Sequence, residues 1–265
     1  MSIERLLQTH VKQNPEAIAI KYAAEELTYK QLNSKVNQLA NYLRKQGVKP
    51  EVLVGIYVER SLEIVIAILG ILKAGGAYVP LDPAFPQDRL GMIIEDTKVQ
   101  LILTQSQLAP KIESKGICLL SIDTQWSKIS TESEDLAPTA ATTDRLAYIM
   151  FTSGSTGKPQ GVEVTCAQID YYLQAICKVI SVAADDVYLH SSSFAFSSSI
   201  RHLLLPLSQG AKVVIVSKKI FTNPIDLLKL IQTEGITIFD TVPSVWNYVL
   251  MSLDGIDTER RVNLI

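Results

Sequence analysis

Short apolar runs alternate along this chain with longer segments whose apolar residues recur every three or four positions. That alternation predicts an α/β fold on a largely parallel sheet, layered with helices on both faces. Residues 17–22 read as a short strand. Thr28 then stands as the N-cap of a helix, Gln31 as its capping-box partner, and Leu27 with Leu32 as the hydrophobic staple. Leu32, Val36, Leu39 and Leu43 fall on one face, and Gly47 is placed to end the helix. Residues 52–58 read as a buried strand, followed by a helix capped at Ser61 that runs to about Ala74 and stops at Gly75-Gly76. Residues 99–104 and 117–122 read as further strands, with 105–115 a loop or short helix between them. The later part repeats this logic. Residues 147–151, 187–190, 212–216 and 236–239 read as strands. Thr165 and Gln168 form a second capping box before a helix to about Val182, and Asn223 with Pro224 opens another.

Residues 131–144, rich in Ser, Thr, Ala and acids, show no periodic apolar face and read as a solvated connector. The expected organisation is a first α/β subdomain over 1–130, the connector over 131–144, and a second α/β subdomain over 145–265, truncated at its C-terminal end. No internal repeat at solenoid spacing is visible.

At 265 residues and 47% hydrophobic, the chain is long enough to bury a large core. Its net charge of −2 gives no electrostatic case for nucleic acid. The longest apolar run, 64–72, is nine residues and too short to span a bilayer, so no membrane partner is expected. The N-terminus lacks a basic region followed by a long apolar stretch, which makes the cytoplasm the expected location. Cys118, Cys166 and Cys177 have neither disulfide-framework nor zinc spacing, and His10, His190 and His202 are scattered along the chain.

Residues 147–162 carry the strongest chemical signal: an apolar strand feeds directly into Thr-Ser-Gly-Ser-Thr-Gly-Lys-Pro-Gln-Gly. Polyphosphate needs many short donors, close backbone approach and a cation. Gly154, Gly157 and Gly161 clear side chains away or permit positive φ, while Thr152, Ser153, Ser155 and Thr156 add hydroxyls and Lys158 adds a mobile charge. The Walker A pattern fails, because it asks for Gly at Thr152 and for Ser or Thr at Pro159.

The run over 152–161 resembles the phosphate-loop signature of adenylate-forming enzymes. Residues 72–90, Leu-Lys-Ala-Gly-Gly-Ala-Tyr-Val-Pro-Leu-Asp-Pro-Ala-Phe-Pro-Gln-Asp-Arg-Leu, resemble a motif of the adenylation domains of nonribosomal peptide synthetases, and 27–32 resemble their first core motif. The resemblance covers essentially the whole chain and implies the N-terminal part of the large domain of an adenylate-forming enzyme. It implies ATP and Mg²⁺ as cofactors, a carboxylic acid as substrate, and an acyl adenylate passed to the phosphopantetheine thiol of a carrier protein in secondary metabolite biosynthesis. Thr152, Ser153, Gly154, Ser155, Thr156, Gly157 and Lys158 then become the ATP phosphate-binding residues; no metal ligand is assigned. Gln160 replaces the lysine that usually precedes the last glycine, leaving the loop one cation short.

The same resemblance places the acid pocket at 194–201 and 239–244, with Phe196, Ser197, Ser198, Arg201 and Asp240 as its residues. Ser197 stands where amino-acid-activating relatives carry an aspartate that pairs with the substrate ammonium. A hydroxyl cannot neutralise that charge, so an acid without a free α-amino group is one expectation. Asp240 taking over the ammonium, or pairing with Arg201, are the alternatives. The family's adenine, ribose and C-terminal catalytic-lysine motifs are absent from these 265 residues. The chain alone is therefore expected to be inactive, its partner being the remaining C-terminal part of the same enzyme. A non-catalytic remnant or interaction module, and an acyl-CoA or fatty-acyl-AMP ligase, stand as the other readings.

Overall fold

The computed structural model describes residues 3–112, 116–137, 144–153 and 158–254. Helix α1 (Ile3–Gln13) leads into a hairpin of β1 (Ile18–Tyr22) and β2 (Glu25–Thr28). Then follow α2 (Tyr29–Lys45), β3 (Leu53–Tyr57), α3 (Leu62–Ala74), β4 (Ala77–Pro80), α4 (Gln87–Thr97) and β5 (Leu101–Thr104). After a short 3₁₀ turn at Ala109–Lys111 come β6 (Cys118–Ser121), α5 (Ile122–Ile129), β7 (Leu146–Ser153), β8 (Pro159–Thr165), α6 (Cys166–Ile176) and β9 (Val187–His190). The chain continues through α7 (Ser198–Gln209), β10 (Lys212–Ile215), α8 (Lys218–Phe221), α9 (Pro224–Glu234) and α10 (Pro243–Asp254).

Two sheets result, ordered β2-β1-β10-β9 and β6-β5-β3-β4-β7-β8. All neighbours are parallel except the β1–β2 and β7–β8 pairs. Helix α3 is apolar all round because it is enclosed: it touches β1 of the first sheet and both β3 and β4 of the second, and Glu63 alone of its residues escapes burial. Helix α2 packs along it at very close range. A Cβ on Gly70 would meet Leu39 Cδ2 at 2.8 Å, so glycine is what lets the two helices approach. Both expected capping boxes form, Thr28 with Gln31 and Thr165 with Gln168. Ser61 occupies its N-cap position, but its hydroxyl donates to the Glu59 carbonyl at 3.1 Å instead of capping α3.

Other expectations change. Each sheet draws strands from both sides of residues 131–144, so the sheets do not follow the division at that segment. Residues 131–137 are mostly exposed, as expected of a solvated connector, but they are tied to α2. Asn37, Asn41 and Arg44 of α2 donate to the carbonyls of Glu134, Ser133, Asp135 and Ala137, while Lys45 pairs with Glu132 at 2.7 Å. The missing apolar periodicity reflects main-chain tethering to a polar helix face. Helix α6 ends at Ile176, short of Val182, where successive turn hydrogen bonds at Lys178, Val179 and Ile180 take over. Residues 236–239 form only a bridge, Tyr188 with Ile238. The Thr237 hydroxyl there accepts from Val187 N at 3.0 Å and donates to Asp186, competing with a regular ladder.

Candidate functional site

Strand β7 pairs antiparallel with β8 down to Thr152↔Gln160 and Ser153↔Pro159. The ladder thus pins the chain on either side of the residues expected to hold phosphate. Gly154, Ser155, Thr156 and Gly157 lie outside the described residues, as does the Ser153 side chain. Thr152 and Lys158 flank the connection and are exposed. Gln160 belongs to the ladder, with its side chain exposed. Gly161 has no positive φ; its requirement is packing, because an added Cβ would lie 2.9 Å from Ile149 Cγ2 and 3.1 Å from Phe151 Cζ. The antiparallel strand β8 has no clear sequence signal, since its glycine and proline read as loop.

Residues 72–90 grip β7 at both ends. Just before the strand, Arg145 is buried, and its guanidinium donates to the carbonyls of Leu72 at 2.9 Å, Gly75 at 3.2 Å and Gly76 at 3.4 Å. Arg44 donates to the Lys73 and Ala74 carbonyls at 2.9 and 3.4 Å. Two arginines thus donate to carbonyls at the end of α3, the Leu72 carbonyl also accepting from Gly75 N, and complement its dipole. Near the far end of β7, Arg89 donates to the Phe151 carbonyl at 3.2 Å while its guanidinium lies over the Phe85 ring at 4.3 Å. Tyr78 of β4 registers directly with Tyr148. The 72–90 motif is, in this fold, the seat of strand β7.

The residues expected at the acid pocket fall into two sets. Phe196 is 62% exposed and Ser197 sits at the N-cap position of α7 without a side-chain cap bond. Ser198 exchanges a 3.0 Å hydrogen bond with Ser192, and the buried Ser199 donates to the Phe196 carbonyl at 2.7 Å. Arg201 and Asp240, 39 positions apart, come together: Nε and Nη2 each lie 2.6 Å from Asp240 Oδ2. Arg201 Nη1 also donates to the Tyr172 hydroxyl at 3.2 Å, and the Tyr188 hydroxyl donates to Asp240 Oδ2 at 3.1 Å. Burial works against charge on Arg201, yet its hydrogen bond to Tyr172 and the Asp240 carboxylate outweigh that and raise its pKa. Burial, reinforced by Asp240, raises that of Tyr188.

Behind this pair lies a feature the sequence hid. His190 at the end of β9 and His202 on α7 are buried with ring centroids 5.7 Å apart, and His190 stacks on Phe194 at 4.2 Å. None of their four ring nitrogens has a hydrogen-bond partner among the described residues. His202 Nε2 stands 3.4 Å from Asp240 Oδ2 without hydrogen-bond geometry. Burial lowers the His202 pKa to about 4, against the pull of Asp240, and lowers that of His190 well below its ordinary value. Both are neutral at pH 7. Among the described residues no group of three or more His, Cys, Asp or Glu side chains is placed to hold a metal, and no helix is long and apolar enough to cross a membrane.

Two mainly parallel sheets around an enclosed helix, with an antiparallel hairpin continuing one parallel strand, define a layered α/β architecture. The sequence model of the AMP-binding enzymes matches residues 7–262, and the chain belongs to that family. It is 39% identical over 254 residues to gramicidin S synthase 2 of Brevibacillus brevis, covering 94% of this chain and 6% of that protein. It is 37% identical over 263 residues to zwittermicin A synthase ZmaJ of Bacillus cereus, covering 98% of this chain and 49% of that one. The nonribosomal peptide synthetase FmoA3, solved with α-methyl-L-serine-AMP, superposes over the whole chain with a TM-score of 0.88 at 28% identity; the match spans 29% of that structure. FmoA3 has also been solved with AMPPNP. The chain thus spans less than half of each of these relatives.

Proposed function

We propose that this chain supplies the phosphate-binding hairpin and the acid-facing surface of an adenylation domain in a nonribosomal peptide synthetase. The observation that carries this reading is the hairpin closed at Ser153↔Pro159 on a strand that the 72–90 motif holds at both ends. Its donor chemistry suits ATP, whose phosphates Thr152, Ser153, Gly154, Ser155, Thr156, Gly157 and Lys158 would hold. In the reaction, a carboxylate oxygen bonds to the α-phosphorus and the bond to the β-phosphate oxygen breaks, releasing pyrophosphate. The acyl adenylate then yields its acyl group to a phosphopantetheine thiol on a carrier protein, with AMP leaving. Mg²⁺ would travel with the ATP phosphates. Catalysis of this kind rests on positioning and charge stabilisation, which loop donors and Lys158 are suited to provide. The remaining adenine, ribose and catalytic-lysine contributions would come from the C-terminal part of the same cytoplasmic enzyme.

The acid itself is read from Ser197, Arg201 and Asp240. Ser197 offers no charge, and Asp240 is already engaged by Arg201 and Tyr188. An ammonium entering there would have to displace a guanidinium held by two short contacts. The favoured substrate is therefore a carboxylic acid lacking a free α-amino group, such as a hydroxy, keto or aryl acid. Pyrophosphate exchange by the synthetase carrying this segment, run on matched α-amino, hydroxy and keto acids, tests both levels. Exchange with hydroxy or keto acids is expected; a clear preference for an ordinary α-amino acid rejects the substrate reading, and no exchange with any acid rejects the activity. The isolated 265-residue chain is expected to show negligible turnover.

A further inference from the structure

The loop from Ser191 to Ser197 joins β9 of the four-stranded sheet to helix α7, yet two of its polar anchors come from the six-stranded sheet. Arg60, just past β3, donates from Nη2 to the Ser191 carbonyl at 2.9 Å and from Nη1 to the Val216 carbonyl at 3.0 Å. Asp82, just past β4, accepts a short hydrogen bond from the Ser193 hydroxyl on Oδ2, while its Oδ1 accepts from Ala84 N at 2.8 Å. Ser193 Oγ in turn accepts from Ala195 N at 3.2 Å, and the Ser193 carbonyl accepts from Phe196 N at 3.0 Å. The Asp82 carboxylate is thus fixed by its own turn and passes that constraint, through one hydroxyl, to the main chain that opens α7.

Strand β4 makes a second link. Tyr78 registers with Tyr148 of β7, the strand that leads into the proposed phosphate hairpin. One short stretch, Tyr78 to Asp82, therefore touches both β7 and the loop that leads into the proposed acid-facing residues. A cavity of about 650 Å³ is lined by both Asp82–Ala84 and Ser193–Ala195, which leaves the loop room to shift if the bond between them is lost. Joining a carboxylate oxygen to the α-phosphorus requires near-attack alignment of the two halves, and a displacement of about 1 Å can cost about 10²-fold in rate. A hydrogen bond to an ionised carboxylate is strong and directional enough to set such a register.

We propose that Asp82 is a positioning residue: through Ser193 it holds the start of α7 in register with β7, and so aligns the acid with the ATP phosphates while touching neither. This inference rests on the adenylation reading above and adds a residue to it. The test is pyrophosphate exchange by the synthetase carrying this segment, with the acid it activates best, in the parent, Asp82→Ala, Ser193→Ala, the double variant and Ser193→Thr. Ser193→Ala is the cleaner single change, because burial lowers the Arg60 pKa and the Asp82 carboxylate opposes that shift. Each alanine variant should lower kcat about tenfold or more with the KM for ATP unchanged. The double variant should lose no more than Asp82→Ala alone, since both changes break one bond. Ser193→Thr keeps the hydroxyl and should retain the parental kcat. Amide hydrogen exchange gives a readout apart from activity: Ala195 and Phe196 should lose protection in Ser193→Ala while 147–151 keep theirs. An unchanged kcat in Ser193→Ala, additive losses in the double variant, or lost protection over 147–151 overturns the positioning role and leaves the activity reading standing. A parent that exchanges with no acid overturns both.

Discussion

Strand β7, which leads into the proposed phosphate hairpin, and helix α7, which carries the proposed acid-facing residues, are held by opposite means. Strand β7 is fixed through main chain: ladders to β4 and β8, with Arg145 and Arg89 clasping carbonyls at or beside its ends. Helix α7 faces a side-chain cluster, in which Asp240 Oδ2 gathers Arg201 and Tyr188 while two neutral histidines lie behind it without hydrogen-bond partners among the described residues. A main-chain clamp positions a loop without consulting any substrate. A side-chain cluster changes its chemistry with a single substitution, which suits a surface that must differ from one acid to another.

The comparison breaks most directly at Arg145. Arg145→Met leaves the buried Gly75 and Gly76 carbonyls without their guanidinium donor, and Leu72 with only its bond from Gly75 N, and is expected to cost about 3–5 kcal/mol in urea unfolding. The α7 cluster should instead fail in acid. In the unfolded chain His202 takes its proton near 6.5, and in the fold only near about 4. Between those values the unfolded state binds more protons, so stability falls as pH drops through that window, by at most about 1.4 kcal/mol per pH unit for each such histidine. Stability measured from pH 7 to 4 should follow that slope, and His202→Leu should flatten it. Gly161→Val drives a side chain into Ile149 and Phe151 and should cost about 1–3 kcal/mol, read from the melting temperature. Arg201→Met should cost only about 1 kcal/mol, because the pair is partly solvated, yet shift acid preference in pyrophosphate exchange. A large stability loss without a change of preference would make that pair a structural element.

Much of the fold is legible in sequence where local rules decide. The capping boxes at Thr28 and Thr165, the αL glycine at Gly75 and the parallel strands follow from side-chain reach and hydrophobic period. What escapes depends on distant partners. Strand β8 is masked by Pro159 and Gly161, whose places are set by the ladder and by packing against Phe151. The tether at 131–137 carries no periodicity because its main chain, not its side chains, meets α2. Arg145 reads as an ordinary charge at a boundary until α3 brings its open carbonyls alongside. The convergence of His190 and His202 has no sequence signal, since twelve positions in a strand-loop-helix unit say nothing of ring orientation.

The 72–90 motif acts as the seat of strand β7. Amide hydrogen exchange across β7 in the parent chain and in Arg145→Met tests that role most directly. Protection over 147–151 should collapse in the variant while β9 and β10 keep theirs; equal loss in both sheets, or unchanged protection of β7, would contradict it.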